Sequence, residues 1–217
     1  MNHPRKIAID GPAGSGKSTL GRHLAQELGY VFLDAGMVYR AITWSALKKN
    51  LDVHHEASIS RFADKMHIRA KPVPPTVRFQ INACFACDLN TPAIDAVVPI
   101  VAAYKAVRER VRLLQHQIAE AYDVVYVGRD IGTVVLPDAD LKIFLDISLE
   151  ERTQRRAAQS GRDIELVREE LLLRDLADTT RHESPMQVAA DALLIQSDDL
   201  SVGELLELVL AHLDCLK

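Results

Sequence analysis

The chain has 217 residues, 48% of them hydrophobic and 26% charged, and a formal net charge of −4. That balance fits one globular α/β unit with room for a small insert. It excludes a protein that coats nucleic acid or an anionic membrane, so any polyanion site has to be a local cluster of arginines.

In chain order, the first residues lead into an apolar run with no hydrophobic leader, and no stretch approaches the roughly 18 apolar residues of a membrane span, so the expected setting is the cytoplasm. Lys6-Ile-Ala-Ile-Asp10 reads as a short buried parallel strand. Leu20, Leu24 and Leu28 recur every four residues, which predicts a helix over 17–28. Between strand and helix, Gly11-Pro12-Ala13-Gly14-Ser15-Gly16-Lys17-Ser18 spells G-x-x-x-x-G-K-[ST] and is followed by Thr19. In that setting the motif is a phosphate cradle. Glycines let backbone N–H groups turn inward, the helix N-terminus adds the positive end of its dipole, Lys17 reaches the β- and γ-phosphates, and the Ser18 hydroxyl can hold Mg²⁺.

A strand near 31–33 and a helix from about 37 to 48, carrying Tyr39 and Arg40, complete a βαβα opening. From about 56 the pattern changes to a short helical piece, then Pro72, Pro74 and Pro75, then the alternation Val77-Arg-Phe79-Gln-Ile81, which predicts an inserted hairpin or small sheet. Cys84 and Cys87 form a C-x-x-C without the second ligand pair of a tetrahedral zinc site, and with Cys215 the count is odd; they read as small apolar residues in a strand of the insert. Apolar residues at 107, 111, 114 and 118 predict a helix from Lys105 to Tyr122, and Val124 to Val127 and Leu141 to Leu145 are core strands. Ser148-x-x-Glu151 and Ser201-x-x-Glu204 are capping boxes opening two further helices, the second after a last strand from Ala192 to Ile195. Five parallel strands with intervening helices make a doubly wound sheet whose ligands sit at the carboxyl ends of the strands.

Arginines gather on the later part of the chain. Arg152, Arg155 and Arg156 follow the first capping box on one side of a helix, with Glu151 placed to pair with Arg155. Arg174, Asp178 and Arg181, at i, i+4 and i+7, read as one face of one helix. Gly128-Arg129-Asp130-Ile-Gly132 directly follows a strand, which lands an Arg-Asp pair at the carboxyl-end crevice, and Asp34 to Arg40 occupies the equivalent place after the second strand. The planar guanidinium fork suits phosphate oxygens and stays charged.

Taken together, Ile9 to Thr19, Leu33-Asp-Ala-Gly-Met-Val-Tyr-Arg-Ala41, Val107-Arg108-Glu109, Gly128-Arg-Asp-Ile-Gly-Thr-Val-Val-Leu-Pro-Asp-Ala-Asp140, Arg174-Asp175 and Ser184-Pro185 resemble the bacterial cytidylate kinases over nearly the whole chain. The resemblance implies a monomer of P-loop NTPase type that phosphorylates CMP and dCMP with ATP and Mg²⁺. It implies a core of residues 1–55 and 101–217, a lid around 152–163, and a nucleoside-monophosphate-binding insert over 56–100. By position it implies acceptor-phosphate ligands in Arg40 and Arg129, cytosine readers in Arg108 and Asp130, sugar contacts in Arg174 and Asp178, and a phosphate-side ligand in Arg181. Lys17, Arg129 and the lid residues Arg155 and Arg156 would neutralise charge during transfer. Three positions depart from the family pattern. Ala35 stands where Ser or Thr is common, Pro99 where a serine near the base falls, and Val127 where an acidic residue often precedes Gly-Arg-Asp.

Two other readings remain open on the sequence: a kinase for another nucleoside monophosphate or small metabolite, and a non-catalytic nucleotide-binding regulator. Against a GTP-sensing switch, the chain has no Asn-Lys-x-Asp motif and carries acceptor-side arginines that a sensor would not need.

Overall fold

The computed structural model describes residues 5–73, 76–81, 84–85 and 88–215. In chain order the elements are β1 (Lys6–Asp10), α1 (Lys17–Leu28), β2 (Val31–Asp34), α2 (Ala35–Lys48), α3 (Glu56–Lys65), β3 (Ile68–Val73), β4 (Thr76–Ile81) and β5 (Cys84–Phe85). They continue with α4 (Pro92–Ala103), α5 (Lys105–Ala121), β6 (Val124–Val127), a π-helix (Ile131–Val135), β7 (Leu141–Asp146), α6 (Leu149–Ser160), α7 (Ile164–Thr180), β8 (Leu193–Gln196) and α8 (Val202–Cys215).

Five strands pair in the order β2-β6-β1-β7-β8, all parallel, with Lys6 opposite Val124 on one side of β1 and Ile7 opposite Leu141 on the other. Because both faces of a parallel sheet are covered by helices, β1 and β6 are apolar runs without alternation. Successive side chains still point to opposite faces. Ile7, Ile9, Val125 and Val127 pack with Leu20 and Leu24 of α1 and Leu205 and Val209 of α8, while Ala8, Val124 and Tyr126 join the cluster built by α2, α3 and α5. The expected five-stranded doubly wound sheet is therefore present, and β1 sits at its centre. Its C-terminal end delivers residues 11–18 between the loops that leave β6 and β7.

The insert folds as α3 followed by the antiparallel sheet β3-β4-β5, in which Ile68 faces Ile81 and Gln80 faces Phe85. The expected hairpin is there; Pro74, Pro75 and Cys87 lie outside the described residues. The helix α4 was not foreseen. Thr91 caps it by accepting the Ile94 N–H at 3.4 Å and Pro92 sits in its first turn, but Pro99 lies in its interior, where a missing N–H ordinarily ends a helix. Burial of Ile94 and Val101 carries the helix past that point.

Beyond shifts of one residue at several strand and helix ends, three features differ from the sequence reading. The helix α2 starts at Ala35 rather than 37, because Asp34 caps it by accepting the Gly36 N–H at 2.9 Å. Arg181 is not on the face of α7 but is the residue just beyond it. Residues 131–135, assigned no element on the sequence, form a π-helix in which the Leu136 N–H reaches the Ile131 carbonyl at 2.6 Å. The box at Ser201 is complete, with Glu204 N–H on Ser201 Oγ and Ser201 N–H on Glu204 Oε2; at Ser148 only the Glu151 N–H to Ser148 Oγ bond forms, because the Ser148 N–H donates to Asp198 and Glu151 pairs with Arg155. Among the described residues no helix is long and apolar enough to cross a membrane.

At Gly21, α1 lies close against the sheet. A Cβ there would lie 2.6 Å from Val127 Cγ1 and 2.9 Å from Phe32 Cε2. Gly21→Ala gains about 1 kcal/mol of helix propensity, yet forces a shift in a packed core that costs about 1–3 kcal/mol. The expected outcome is a net loss of about 1 kcal/mol with an unchanged circular dichroism spectrum, read from urea unfolding. A variant more stable than the parent would show that α1 can move off the sheet freely.

Candidate functional site at the carboxyl edge of the sheet

The phosphate-loop sequence turns sharply at its first residue. Gly11 has φ +148°, and a Cβ on it would lie 2.3 Å from the Leu145 carbonyl oxygen, so only glycine can lead β1 into this loop. Lys17 opens α1 and folds back over the loop, its Nζ donating to the Pro12 carbonyl at 2.6 Å and to Ser15 Oγ at 3.0 Å. Burial, and then the nearby Arg129 charge, hold its pKa well below that of an ordinary lysine. Ser18 Oγ donates to Asp34 Oδ2 at 2.9 Å, which ties the loop to the end of β2, while Thr19 is exposed in the first turn of α1.

Asp10, the last residue of β1, is 4% exposed and accepts from the N–H groups of Ile131 at 2.9 Å and Gly132 at 2.7 Å. It thereby caps the π-helix and fixes the backbone next to Asp130. Gly132 lets the Lys142 stem lie close, since a Cβ there would be 3.3 Å from Lys142 Cγ. Burial pushes the Asp10 carboxyl up from 3.8 to about 6, against the lowering effect of those two N–H groups and Lys17.

Beyond Asp130 the charges form an alternating chain. Arg108 Nη2 donates to Asp130 Oδ2 at 2.5 Å, Arg181 Nη2 lies 3.3 Å from Asp130 Oδ1, Arg181 Nη1 donates to Asp178 Oδ1 at 3.3 Å, and Arg129 Nε donates to Asp178 Oδ2 at 2.8 Å. Residues from α5, the β6 end, α7 and the segment after it are thus brought together. Arg108 and Asp130, with Tyr39 and Ser184, line an open cleft, and the Arg108 guanidinium lies 5.8 Å from the centre of the Tyr39 ring.

Four of the expected arginines sit apart from that chain. Arg40 donates to the Leu89 carbonyl at 2.9 Å and pairs with Asp95 of α4, joining α2 to the insert side. Arg155 pairs with Glu151 at 2.6 Å and donates to the Asp198 carbonyl at 3.1 Å. The guanidinium groups of Arg156 and Arg174 take no hydrogen bond or ion pair among the described residues. Desolvation, followed by Arg129, lowers the pKa of Arg174, with Asp178 opposing and Arg40 and Arg156 adding to the fall. Arg152, grouped on sequence with its neighbours, is buried instead, donating to the Ala13 carbonyl at 3.0 Å and to Asp175. Sequence reading missed the tasks of Asp10, Arg152 and Asp175. A carboxylate closing an apolar strand was the one available signal for Asp10.

The three departures have structural settings. Ala35 is buried at the start of α2, against the position a Gly128 Cβ would take. Pro99 is exposed in α4. Val127 faces α1 at Gly21, so an acidic side chain there would enter a packed apolar interface. Among the described residues no three His, Cys, Asp or Glu side chains converge as a metal cage.

The parallel sheet with its phosphate loop at the central strand, faced by arginines from the later helices, defines a P-loop kinase. Within that class, the chain belongs to the cytidylate kinase family, whose profile matches residues 7–214. It is 42% identical over 205 residues to the cytidylate kinase of Carboxydothermus hydrogenoformans, covering 92% of each chain. It is 39% identical over 216 residues to that of Geobacillus kaustophilus, covering 97% of this chain and 96% of the relative. Among solved structures, TT1252 from Thermus thermophilus shares the fold with a TM-score of 0.52 and 20% identity, over 98% of this chain and 99% of that one.

Asp10 gives the site a measurable pH signature. Because its folded pKa is raised from 3.8 to about 6, it contributes stability that is full below the unfolded value and lost as pH rises through about 6. Asp10→Asn cannot titrate. Relative to that variant, the parent should gain about 2 kcal/mol between pH 7 and pH 4.5 in urea unfolding. A gap that stays constant over this range would mean that Asp10 ionises like an exposed carboxylate.

Proposed function

We propose that this chain transfers the γ-phosphoryl group of ATP to CMP and dCMP, giving CDP and dCDP. The observation that carries the choice of acceptor is the Arg108–Asp130 pair in the cleft beside Tyr39. Cytosine presents an N4 amino donor beside the N3 and O2 acceptors; uracil presents O4 and N3–H. Asp130 suits the amino group and opposes O4, and the remaining N–H groups of Arg108 suit N3 or O2.

Residues 11–18 hold the donor phosphates, and an incoming polyphosphate supplies the counter-charge that burial denies Lys17. Ser18, with Asp34 behind it, offers the hard oxygen donors that Mg²⁺ prefers, and water and phosphate oxygens would complete its shell. When bound there, Mg²⁺ neutralises charge on the phosphates. Arg40 and Arg129 take the acceptor phosphate, Arg174 and Asp178 the sugar, and Arg181, which also spans Asp130 and Asp178, serves on the phosphate side. Arg155 and Arg156 close over the transferring group as a lid near 152–163, and residues 56–100 close over the nucleoside. No strong general base is needed, since the acceptor phosphate already presents an ionised oxygen; catalysis is positioning and charge neutralisation. The same reading takes the working unit as a monomer.

A coupled assay across CMP, dCMP, UMP, AMP and GMP, with acceptor-free hydrolysis as control, tests the substrate class; a preference for any acceptor other than the cytidine nucleotides would overturn it. Lys17→Ala should keep the fold and lower kcat and kcat/KM together by at least about a hundredfold, the scale of a single charge-stabilising group. A folded variant with near-parental kcat would remove Lys17 from the mechanism. Asp130→Ala should lower kcat/KM for CMP much more than for UMP, shrinking the discrimination between them by about 2–4 kcal/mol. Equal losses on both nucleotides would make Asp130 a scaffold for the arginines rather than a reader of the base.

A further inference from the structure

We infer that Arg152 and Asp175 are a positioning pair through which α6 and α7 hold the phosphate loop in its donor-binding shape, an inference that rests on reading residues 11–18 as the donor site. Three observations meet at Ala13. Its N–H donates to Asp175 Oδ1 at 3.1 Å, and its carbonyl accepts from Arg152 Nη1 at 3.0 Å. Arg152 Nη1 also donates to Asp175 Oδ2 at 2.5 Å, so the ion pair closes a ring around one residue of the loop. The two partners come from different helices.

The apolar part of the contact is separate from the ion pair. The Ala13 methyl is buried with Val167 and Leu171 of α7, and Leu149 and Ala157 of α6 pack on the same cluster. At the next residue, a Cβ on Gly14 would lie 3.6 Å from Arg152 Cβ, so the stem of Arg152 runs along the loop itself. Three N–H groups of Arg152 are committed, two on Nη1 as above and the Nε donor to the Ile147 carbonyl at 3.3 Å, and the side chain is 7% exposed. That separates it from Arg155 and Arg156, which lie nearer the surface of the same helix.

The effect on the loop follows from peptide geometry. The Ala13 carbonyl and the Gly14 N–H belong to one planar trans peptide and point in opposite directions. Holding the carbonyl toward α6 therefore aims the Gly14 N–H away from it. Anchoring the Ala13 N–H on Asp175 fixes the preceding peptide in the same way. A phosphate cradle depends on the directions of its N–H groups. The pair therefore ties the donor loop to the placement of α6 and α7, without touching a nucleotide.

The test measures ATP and CMP binding separately by calorimetric titration of the full chain, for Arg152→Met, Arg152→Lys, Asp175→Asn and the double variant Arg152→Met/Asp175→Asn. ATP affinity should fall about tenfold in Arg152→Met and in Asp175→Asn, as expected when a charge-assisted hydrogen bond that orients the loop is lost. CMP affinity should stay within about twofold, Arg152→Lys should recover part of the loss, and the double variant should be no worse than the poorer single one. Should Arg152→Met fail to fold, the isosteric Asp175→Asn carries the same prediction, together with faster hydrogen exchange at the Ala13 amide. Equal losses for ATP and CMP, unchanged ATP affinity, or effects that multiply in the double variant would overturn the inference. Because ATP binding is read without an acceptor, a chain that met these expectations but phosphorylated no cytidine nucleotide would refute the substrate reading alone.

Discussion

An unpaired cation in a half-buried cleft is costly, and a site built to receive phosphates needs many of them. The alternation Arg129–Asp178–Arg181–Asp130–Arg108 resolves that conflict. Each carboxylate lies between two guanidinium groups, so the arginines can stand close together at the sheet edge without a ligand. The arrangement also explains why Asp130 is fixed from two directions. Its backbone neighbours hang on Asp10 and its side chain on two arginines, which leaves it little freedom to turn. Arg156 and Arg174, lacking such partners among the described residues, carry the excess positive charge toward the open side.

The centre of the sheet does the mechanical work for both halves of the site. The strand β1 ends in Asp10, which reaches sideways to the π-helix, and continues into Gly11, which turns into the phosphate loop. The phosphate-loop motif and the backbone beside Asp130 are therefore set by adjacent residues of one strand. From the opposite direction, α6 and α7 meet the loop at Ala13 through both an ion pair and an apolar cluster. The loop is held at its root and at its tip.

Much of this could be read from the sequence because the signals are local. The strand 6–10, the helix 17–28 and the strand 124–127 have the bounds their apolar pattern suggests, since burial on a two-sided sheet and on one helix face leaves a direct periodicity. The caps at Ser148 and Ser201 likewise depend on residues three apart. What escaped was set by tertiary contacts. The interior Pro99 argues against α4, and only burial of Ile94 and Val101 overrides it. The π-helix exists where Asp10, 121 residues earlier, captures the Ile131 N–H. Arg152 looks like its neighbours in sequence, and only the position of Ala13 beneath it distinguishes a buried brace from a surface charge. The candidate residues stood out as motifs and the Glu151–Arg155 pair followed from its spacing, but the long-range pairing of the others did not.

The strand order also sets a timetable for folding. Lys6 of β1 pairs with Val124 and Ile7 with Leu141, so the central strand has no sheet partner until more than half the chain exists. At a synthesis rate of about 5–20 residues per second, β1 waits on the order of 6–24 s for β6 to be made. During that interval Ile7 and Ile9 have only α1 to cover them. Such long-range parallel pairings close large loops before any contact rewards them, so assembly of the sheet is expected to be slower than formation of its helices. The central strand that carries both Asp10 and the root of the phosphate loop thus gains its sheet partners late, and until then Ile7 and Ile9 of the newly made N-terminal segment lack them.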